Sequence, residues 1–260
     1  MILRRVIQHV RKQEWTAIGI DFFIVVFGVF IGLQVSNWND TRQKSARGED
    51  YSLRLKAELQ AEFEYAQALI AYNESTRDAA RNAYEGIAGT AELDDKTILI
   101  NAFRASQYNW YERRRAVFDE VVASGSLSLI ADQSMRLAAV GMYNTLTFSL
   151  AQSEGQNSPY RDLFRMAIEL NLHDELARNC GDKPYTTKGV AVGLLTLNYA
   201  CNIDVSEVEM AKGVAALRSD PDVLRTLRLR NAQIVGRISD LESTLQSFGM
   251  YKMFSEASAP

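Results

Sequence analysis

Few residues of this chain have the types and spacing that chemistry needs, and two pairs on predicted helices are the first candidates. Glu58 and Glu62 are one helical turn apart, so their carboxylates would share a face and could work as an acid and a base. Glu169 and His173 have the same spacing and could ligate a metal ion together. Salt-bridged surface acids and a solvated helix face are the commoner outcomes of these patterns, and we favour them.

Two further motifs carry groups that could bind or attack a ligand. An anionic ligand or a lipid headgroup could bind to Glu112 and the three arginines that follow it, which lie beside Trp110 and Tyr111. We favour an exposed basic turn, and the Ser-Gly-Ser sequence at 124–126 indicates a turn rather than a nucleophile. The sequence has no phosphate loop, dinucleotide glycine motif or nucleophile elbow. We therefore predict no catalytic residue, cofactor or metal site, and a protein that is not an enzyme.

The two cysteines, Cys180 and Cys201, have a single possible pairing. In an oxidising compartment their disulfide would close a loop of about 20 residues. By the chain-entropy argument this would stabilise the fold by roughly 3 kcal/mol. The alternative is two unrelated buried thiols in a cytosolic domain. A zinc site would need more Cys or His residues nearby. We favour the disulfide.

The element with the clearest role is the apolar run between Trp15 and Trp38, in which Asp21 is the only formally charged residue. Its length is close to the roughly 20 residues that a bilayer needs. On a helix the two Trp side chains would lie roughly 35 Å apart, which suits aromatic anchors at the two interfaces. Residues 33–37 offer no good signal-peptidase site, although a cleaved signal is the alternative. We predict a transmembrane helix at residues 15–38.

Basic residues flank this span on both sides, with a small excess before it. Those before it are Arg4, Arg5, Arg11 and Lys12, and those after it are Arg42, Lys44 and Arg47. The weak positive-inside bias and the cysteine pair both place the N-terminus in the cytoplasm. We therefore predict a bacterial inner-membrane protein with a cytoplasmic basic tail at 1–14, a periplasmic helical domain at 39–255 and a disordered tail at 256–260.

One face of the span could bind another helix in the membrane. Asp21, Val25, Gly28 and Gly32 share that face, and the Gly-x-x-x-Gly spacing lets two backbones approach closely. The alternative is that Asp21 reaches interfacial water and that the glycines have no special role, and both interpretations stay open. The predicted partners are the lipid bilayer and either a second copy of the chain or another membrane protein.

The composition favours an all-α domain. The chain has 260 residues, of which only 4 are proline and 15 glycine, while 47% are hydrophobic. Helix formers are abundant, so a helical bundle is favoured over a sandwich or barrel. The net charge of −3 gives no support to nucleic-acid binding by a basic surface.

Apolar periodicity predicts the helices. The first runs over Tyr51–Ile87, continuous with the span except for a weak joint at Gly48. Asp94 or Asp95 is predicted to cap the second helix, and Gly125 is predicted to end a later, short helix. Helical patterns are predicted over Asp95–Tyr108, Phe118–Val122, Arg136–Leu150 and Tyr160–Leu172, a tight linker over Ser126–Ile130 with Leu127 and Leu129 inward, and a loop over Asn179–Lys188. Residues 189–199 are open between helix and strand.

The C-terminal part has the strongest helix signals. Residues 206–209 form a capping box, and Asp220 precedes a proline at the first helical position. A heptad seam follows, formed by Leu227, Ile234, Leu241 and Phe248 with Leu224, Asn231, Ile238 and Leu245 beside them. We favour packing inside the chain's own bundle over an intermolecular coiled coil.

The anchor resembles that of a widespread, uncharacterised bacterial family of single-span membrane proteins with a domain of unknown function. The family's acid, apolar span and Leu/Ile-Gln-x-x-Asn-Trp-Asn ending fall here on Asp21, Leu33, Gln34, Asn37, Trp38 and Asn39. Its Ser-Gly turn with a Leu-x-Leu-Ile tail is similar to FDEVVASGSLSLI, with Arg136 and Tyr143 following. The resemblance covers about the first 145 residues. It implies location and architecture, not a reaction.

Together these patterns indicate a membrane-anchored periplasmic helical protein that acts as a protein-interaction or scaffold module. The alternative is a small-molecule sensor domain that signals through a membrane partner. A deep polar pocket between helices would favour the sensor. An exposed apolar stripe would favour the scaffold.

Overall fold

A computed structural model describes residues 15–187 and 190–255. The predicted cytoplasmic tail at 1–14, with His9, and the predicted disordered tail at 256–260 lie outside the described residues. The described part is mostly helical, which confirms the all-α prediction at that level. The helices are α1 (Trp15–Ala88), α2 (Asp95–Ala105), α3 (Ala116–Ala123), α4 (Gln133–Asn144), α5 (Thr147–Gln156), α6 (Pro159–Ala167), α7 (Leu170–Cys180), α8 (Glu207–Ser219), α9 (Pro221–Ser247) and α10 (Met250–Phe254).

Helix α1 is 74 residues long and joins the predicted span to the predicted first bundle helix without a break. This continuity confirms the prediction for residues 51–87. Gly48 is not a joint, because the helix runs through it. A Cβ atom at Gly48 would instead clash with the carbonyl oxygen of Leu129, so the glycine allows a close approach of the two backbones.

The N-terminal part of α1 is apolar around its whole circumference. Its most apolar stretch, 18 residues long, has no buried residue. Phe22 is 69% exposed and Leu33 59%. This helix is long and apolar enough to cross a membrane, and a signal sequence has the same apolar character.

The chain divides into two compact units. Among the described residues, one comprises 15–54 and 121–132, and the other comprises 55–120, 133–187 and 190–255. The first unit contains a 3-10 turn at Ser126–Leu129, preceded by Gly125 at φ 67°. Leu127 and Leu129 are only half-buried there, while Ser126 and Ile130 are buried. The prediction that Leu127 and Leu129 both point inward is wrong, because side chains in a 3-10 turn share a face every three residues and not every two.

The larger unit has a core of helices that includes the predicted face of α1. Leu55, Leu59, Phe63 and Ala66 are all buried, as the periodicity of α1 predicts. The main cluster joins α1 to α2, α6, α7, α8 and α9; its members include Ile98, Leu99, Phe103, Tyr160, Phe164, Leu176, Leu217 and Leu227. Burial of these side chains is the main source of stability for this unit.

The predicted helix starts are confirmed. The Asp94 side chain accepts from Thr97 N at 2.6 Å, and Ser206 and Glu209 form a reciprocal capping box. Asp220 caps α9, with Pro221 at the first helical position. The α9 seam is buried within the chain at Leu227, Ile234 and Leu241, which supports packing inside its own bundle.

Two predicted helices are each two shorter ones. The predicted Arg136–Leu150 helix is α4 and α5, separated at Thr145, whose hydroxyl accepts from Thr147 N at 3.3 Å. Such local side-chain bonds compete with the helix ladder. The predicted Tyr160–Leu172 helix is α6 and α7, since Ile168 and Glu169 both have extended backbones between them.

A β-hairpin is the main departure from the predicted fold. Strand β1 (Lys183–Thr187) pairs antiparallel with β2 (Val190–Thr196), with Lys183 opposite Thr196 and a register shift after Tyr185. The predicted loop at 179–188 is therefore wrong over β1. The open assignment of 189–199 resolves to a strand over the β2 residues, which their β-branched and apolar character favours.

Candidate binding groove

Glu62 is a structural group rather than half of an acid and base pair. It is 1% exposed, and its Oε2 lies 2.7 Å from Arg113 Nη2. Its Oε1 accepts from Arg114 N at 3.2 Å. Burial raises the pKa of the Glu62 carboxyl, and the charge of Arg113 opposes that rise. The prediction of a surface salt bridge is therefore wrong for Glu62, because the pair is buried.

Glu58 caps a helix that lies 59 residues further along the chain. Its two carboxylate oxygens accept from Val117 N at 2.8 Å and from Phe118 N at 3.0 Å, at the start of α3. A carboxylate is favourable there because helix N-termini present unpaired N–H groups and a positive dipole end. Glu58 and Glu62 together fasten the segment before α3 to α1.

The predicted basic turn is only partly exposed. Arg113 Nη1 donates to Met142 O at 2.8 Å, and its guanidinium lies 4.4 Å from the Phe148 ring centroid. Arg115 pairs with Asp119 at 2.9 Å. Arg113 and Arg115 are therefore engaged within the chain, and the exposed basic turn is wrong for Arg113.

The Glu169 and His173 pair does not form a site. The His173 ring packs 6.0 Å from Phe103 and 6.5 Å from Phe164, while Glu169 is exposed ahead of α7. Within residues 15–187 and 190–255, no group of three or more potential ligands could hold a metal ion. At residues 124–126 the two serine hydroxyls hydrogen-bond each other at 2.9 Å in the turn that ends α3.

Cys180 and Cys201 are paired at disulfide distance, with their Cα atoms 5.3 Å apart. The segment between them is held by further bonds near both of its ends. The Tyr199 hydroxyl donates to Gly181 O, and to Asn179 O at 3.2 Å. Arg104 Nη2 donates to Tyr199 O at 2.8 Å. These contacts fix the base of the hairpin on the domain.

The hairpin base is also joined to α1. The Tyr72 hydroxyl donates to Asp182 Oδ1 at 2.6 Å across 110 residues of sequence. Burial raises the pKa of both groups, and at Asp182 the hydrogen bond from Tyr72 and then the charge of Arg161 oppose that rise.

Two arginines that the sequence patterns do not single out cap the C-terminal end of α2. Arg230, 4% exposed, donates to Gln107 O at 2.8 Å, and Arg161 donates to Ser106 O at 2.7 Å. Cations are favourable at this end of a helix dipole. Burial lowers the pKa of Arg230 to about 10.

A groove of about 650 Å³ lies between α1 and β2. One wall is the α1 face and the other is the end of β2; the lining residues are Glu64, Gln67, Ala68, Ala71, Tyr72, Ser75, Leu194, Leu195, Thr196 and Asn198. The α1 wall is low because Ala68, Ala71 and Ser75 are small. Glu64 is the one formally charged side chain among these residues. The described lining therefore suits a mainly uncharged ligand.

The predicted residues of the membrane anchor all lie in the apolar part of α1. A Cβ atom at Gly28 or Gly32 would meet no other described atom within 4 Å. Asp21 is half-buried and Trp38 is exposed, while Trp15 begins the helix. Helix association through Asp21, Gly28 and Gly32 and the interfacial role of Trp15 and Trp38 stay predictions.

Comparison of the chain with protein-family models, with curated proteins and with solved structures found no match. Membership of the resembled family therefore stays a prediction. The function has to be argued from the groove, the anchor and the cysteine pair themselves.

Proposed function

We propose that the chain is a membrane-anchored helical domain that binds another protein in the groove between α1 and β2. The observation that carries this proposal is the groove itself. Its two walls come from distant parts of the chain: the Tyr72–Asp182 hydrogen bond joins α1 to the base of the hairpin, and the Cys180–Cys201 pair closes the segment that carries β1 and β2. A binding surface that is already shaped loses less conformational entropy when its partner binds.

We place this domain in the periplasm, anchored in a bacterial inner membrane with its N-terminus in the cytoplasm. The exposed apolar length of α1 supports the anchor, because in water such a surface would be costly. The basic residues ahead of it and the paired cysteines support the orientation. The resemblance to the single-span family agrees with this placement.

A protein ligand suits the lining better than a small charged molecule does. Three charged groups around Tyr72 are engaged inside the chain, because Asp182 accepts from Tyr72 and Arg161 and Arg230 donate to the end of α2. Glu64 is the one charged group among the described lining residues. The lining thus offers apolar surface and neutral hydrogen-bonding groups, which suit a peptide.

A small-molecule sensor is the second candidate, and the groove volume favours it. Pockets for small ligands commonly measure about 300–1,000 Å³, and this groove falls in that range. A sensor of this kind would pass its signal to a membrane partner through α1.

Site-specific photo-crosslinking in cells distinguishes the two candidates. A photoreactive residue at Ala71, which lines the groove, should give a protein adduct of discrete mass. The same residue at Glu74, which is exposed on α1 but does not line the groove, is the matched control. Equal adducts at both positions, or none at Ala71 together with a small bound mass in native mass spectrometry, would overturn the protein-binding proposal.

A further inference from the structure

We propose that the groove takes an extended segment of its partner, which adds as a third strand to the free edge of β2 opposite the small side chains of α1. This inference rests on the proposed function, since it names the kind of protein segment that the groove binds. Strand addition is a common way in which sheets recognise peptides, with main-chain hydrogen bonds providing affinity.

The groove meets β2 at its edge. Leu194, Leu195 and Thr196 follow one another in the strand, and all three line the groove. Successive side chains of a strand point to opposite faces, so a cavity on one face would contact every second residue. Because the groove contacts three consecutive residues, it lies along the edge of the strand and not over one face. At the edge the backbone is accessible.

The edge carries free backbone groups. The sheet has two strands in the described part of the chain, so β2 has β1 on one side only. Leu195 lies opposite Pro184, which has no N–H to donate. A proline fits the non-hydrogen-bonded pair of an antiparallel ladder, and in such a pair both residues point their N–H and C=O groups away from the partner strand. Leu195 therefore points an N–H donor and a C=O acceptor away from β1, toward the side on which we place the added strand.

The opposite wall leaves room for a strand. Ala68, Ala71 and Ser75 lie at three- and four-residue steps on the groove face of α1, where larger side chains would fill the space. Side chains on one face of an added strand would lie against these residues. Small apolar side chains at every second position of the partner would fit them.

The charge of Glu64 determines which residue is preferred at one end of the partner segment. Glu64 is the charged member of the described lining, and its Oε1 accepts from Gln60 at 3.2 Å. A Lys or Arg at one end of the bound segment would complement it, and an acidic residue there would be repelled. The occupant is thus an extended, alternating, neutral-to-basic peptide segment.

The hairpin can act as a template because it is fixed at its base. The disulfide, the Tyr199 hydroxyl and the Tyr72–Asp182 bond all hold the ends of the segment that carries β1 and β2. A flexible hairpin would lose entropy on adding a strand, and these bonds reduce that loss.

The test is selection of displayed random octapeptides on the purified full chain in detergent. We expect enriched peptides with small apolar residues at alternate positions and a basic residue near one end. A synthetic copy of an enriched peptide should lose about tenfold or more in affinity when alternate backbone nitrogens are methylated, because each methyl removes a main-chain hydrogen bond. Absence of enrichment, or equal binding of the methylated peptide, would overturn strand addition.

Protein variants provide the second arm. Ala71→Trp should abolish peptide binding by filling the groove, while Ala215→Trp, at an exposed site on α8, should not change it. Leu195→Pro should reduce binding more than Leu195→Ala, since only the proline removes the outward N–H. Formation of the Cys180–Cys201 pair and an unchanged thermal midpoint show that each variant is folded. Equal binding by Ala71→Trp and the native chain would overturn the inference.

The two proposals fail separately. A protein adduct at Ala71 with no enriched peptide would leave protein binding in place and overturn the strand-addition inference. Peptides that bind equally well to Ala71→Trp would show a site elsewhere, even if cross-linking at Ala71 succeeds.

Discussion

The apolar stretch of α1 and the C-terminal helix α9 are both rich in large apolar residues, but the residues are arranged differently. In α1 they occupy every side of the helix from Phe22 to Leu33, and the side chains are exposed. In α9 they form a seam: Ile234 is 1% exposed, while its neighbour Val235 on another face is 47% exposed. A helix with a seam can bury that face in its own domain and leave polar faces to water. A helix that is apolar all round has no polar face, so it needs a bilayer or a partner.

The largest expected effect comes from opening a cavity in the seam. Leu227→Ala should lower the free energy of unfolding of the domain by about 2–5 kcal/mol, because Leu227 is fully buried. Val235→Ala on the same helix should change it by less than about 0.5 kcal/mol. Urea unfolding of the full chain in detergent measures both. Equal losses in the two variants would show that α9 does not pack through this seam.

A charge placed in the apolar stretch tests the other half of the comparison. Phe27→Arg should cost about 2.5–3.5 kcal/mol in membrane insertion and move the chain out of the membrane fraction. The Val235→Arg chain should remain in that fraction, because Val235 is an isolated exposed apolar residue on α9 and not part of an apolar stretch. Alkaline extraction of membranes distinguishes them. If the Phe27→Arg chain resists extraction as the native chain does, the stretch is not held in the bilayer by its apolarity.

The sequence predicts elements of this fold that depend on neighbouring residues. The cap at Asp94, the capping box at Ser206 and the seam of α9 are all visible as short patterns, because helix starts and faces are set within a few residues. The break at Thr145 is also local, but its signal is one hydroxyl in an otherwise helical pattern.

The side-chain contacts that join distant parts of the domain are long-range, so sequence patterns do not contain them. Tyr72 and Asp182 are 110 residues apart, and Glu62 and Arg113 are 51 apart. A single sequence shows neither which acid and base will meet nor whether they will be buried. The hairpin is missed for a related reason: β1 contains Pro184 and depends on β2 for its ladder, so its own residues predict a loop.

Removing the disulfide should have the next largest effect on stability. The double variant Cys180→Ser with Cys201→Ser should have a free energy of unfolding about 3 kcal/mol lower. The disulfide closes a loop of about 20 residues, and this is the stabilisation expected from that closure. In the native chain, thiol alkylation after unfolding without reductant should label neither cysteine. Labelling of both in material matured in the periplasm would show that the pair is not bridged.

Changes on the predicted association face of α1 should have the smallest effect. Gly28→Ile and Gly32→Ile should weaken helix association, because the added side chains keep a partner backbone at a distance. Asp21→Ala should weaken it less, by about 1 kcal/mol, the usual size of a hydrogen bond between helices in a membrane. Phe30→Ile is the matched control, since Phe30 lies on the opposite face of the helix.

A membrane two-hybrid assay with the native and substituted spans compares these association strengths directly. If both Gly→Ile variants associate as strongly as the native span, α1 is a plain tether. Self-association would then have to be sought on the folded domain.

The most direct test of the account is the side of the membrane on which the domain lies. Alkaline phosphatase, which folds actively only in the periplasm, and a fluorescent protein that matures only in the cytosol are fused in turn to the C-terminus of the full chain. The account predicts an active phosphatase and a dark fluorescent protein. An inactive phosphatase with a bright fluorescent protein would contradict the periplasmic placement of the groove.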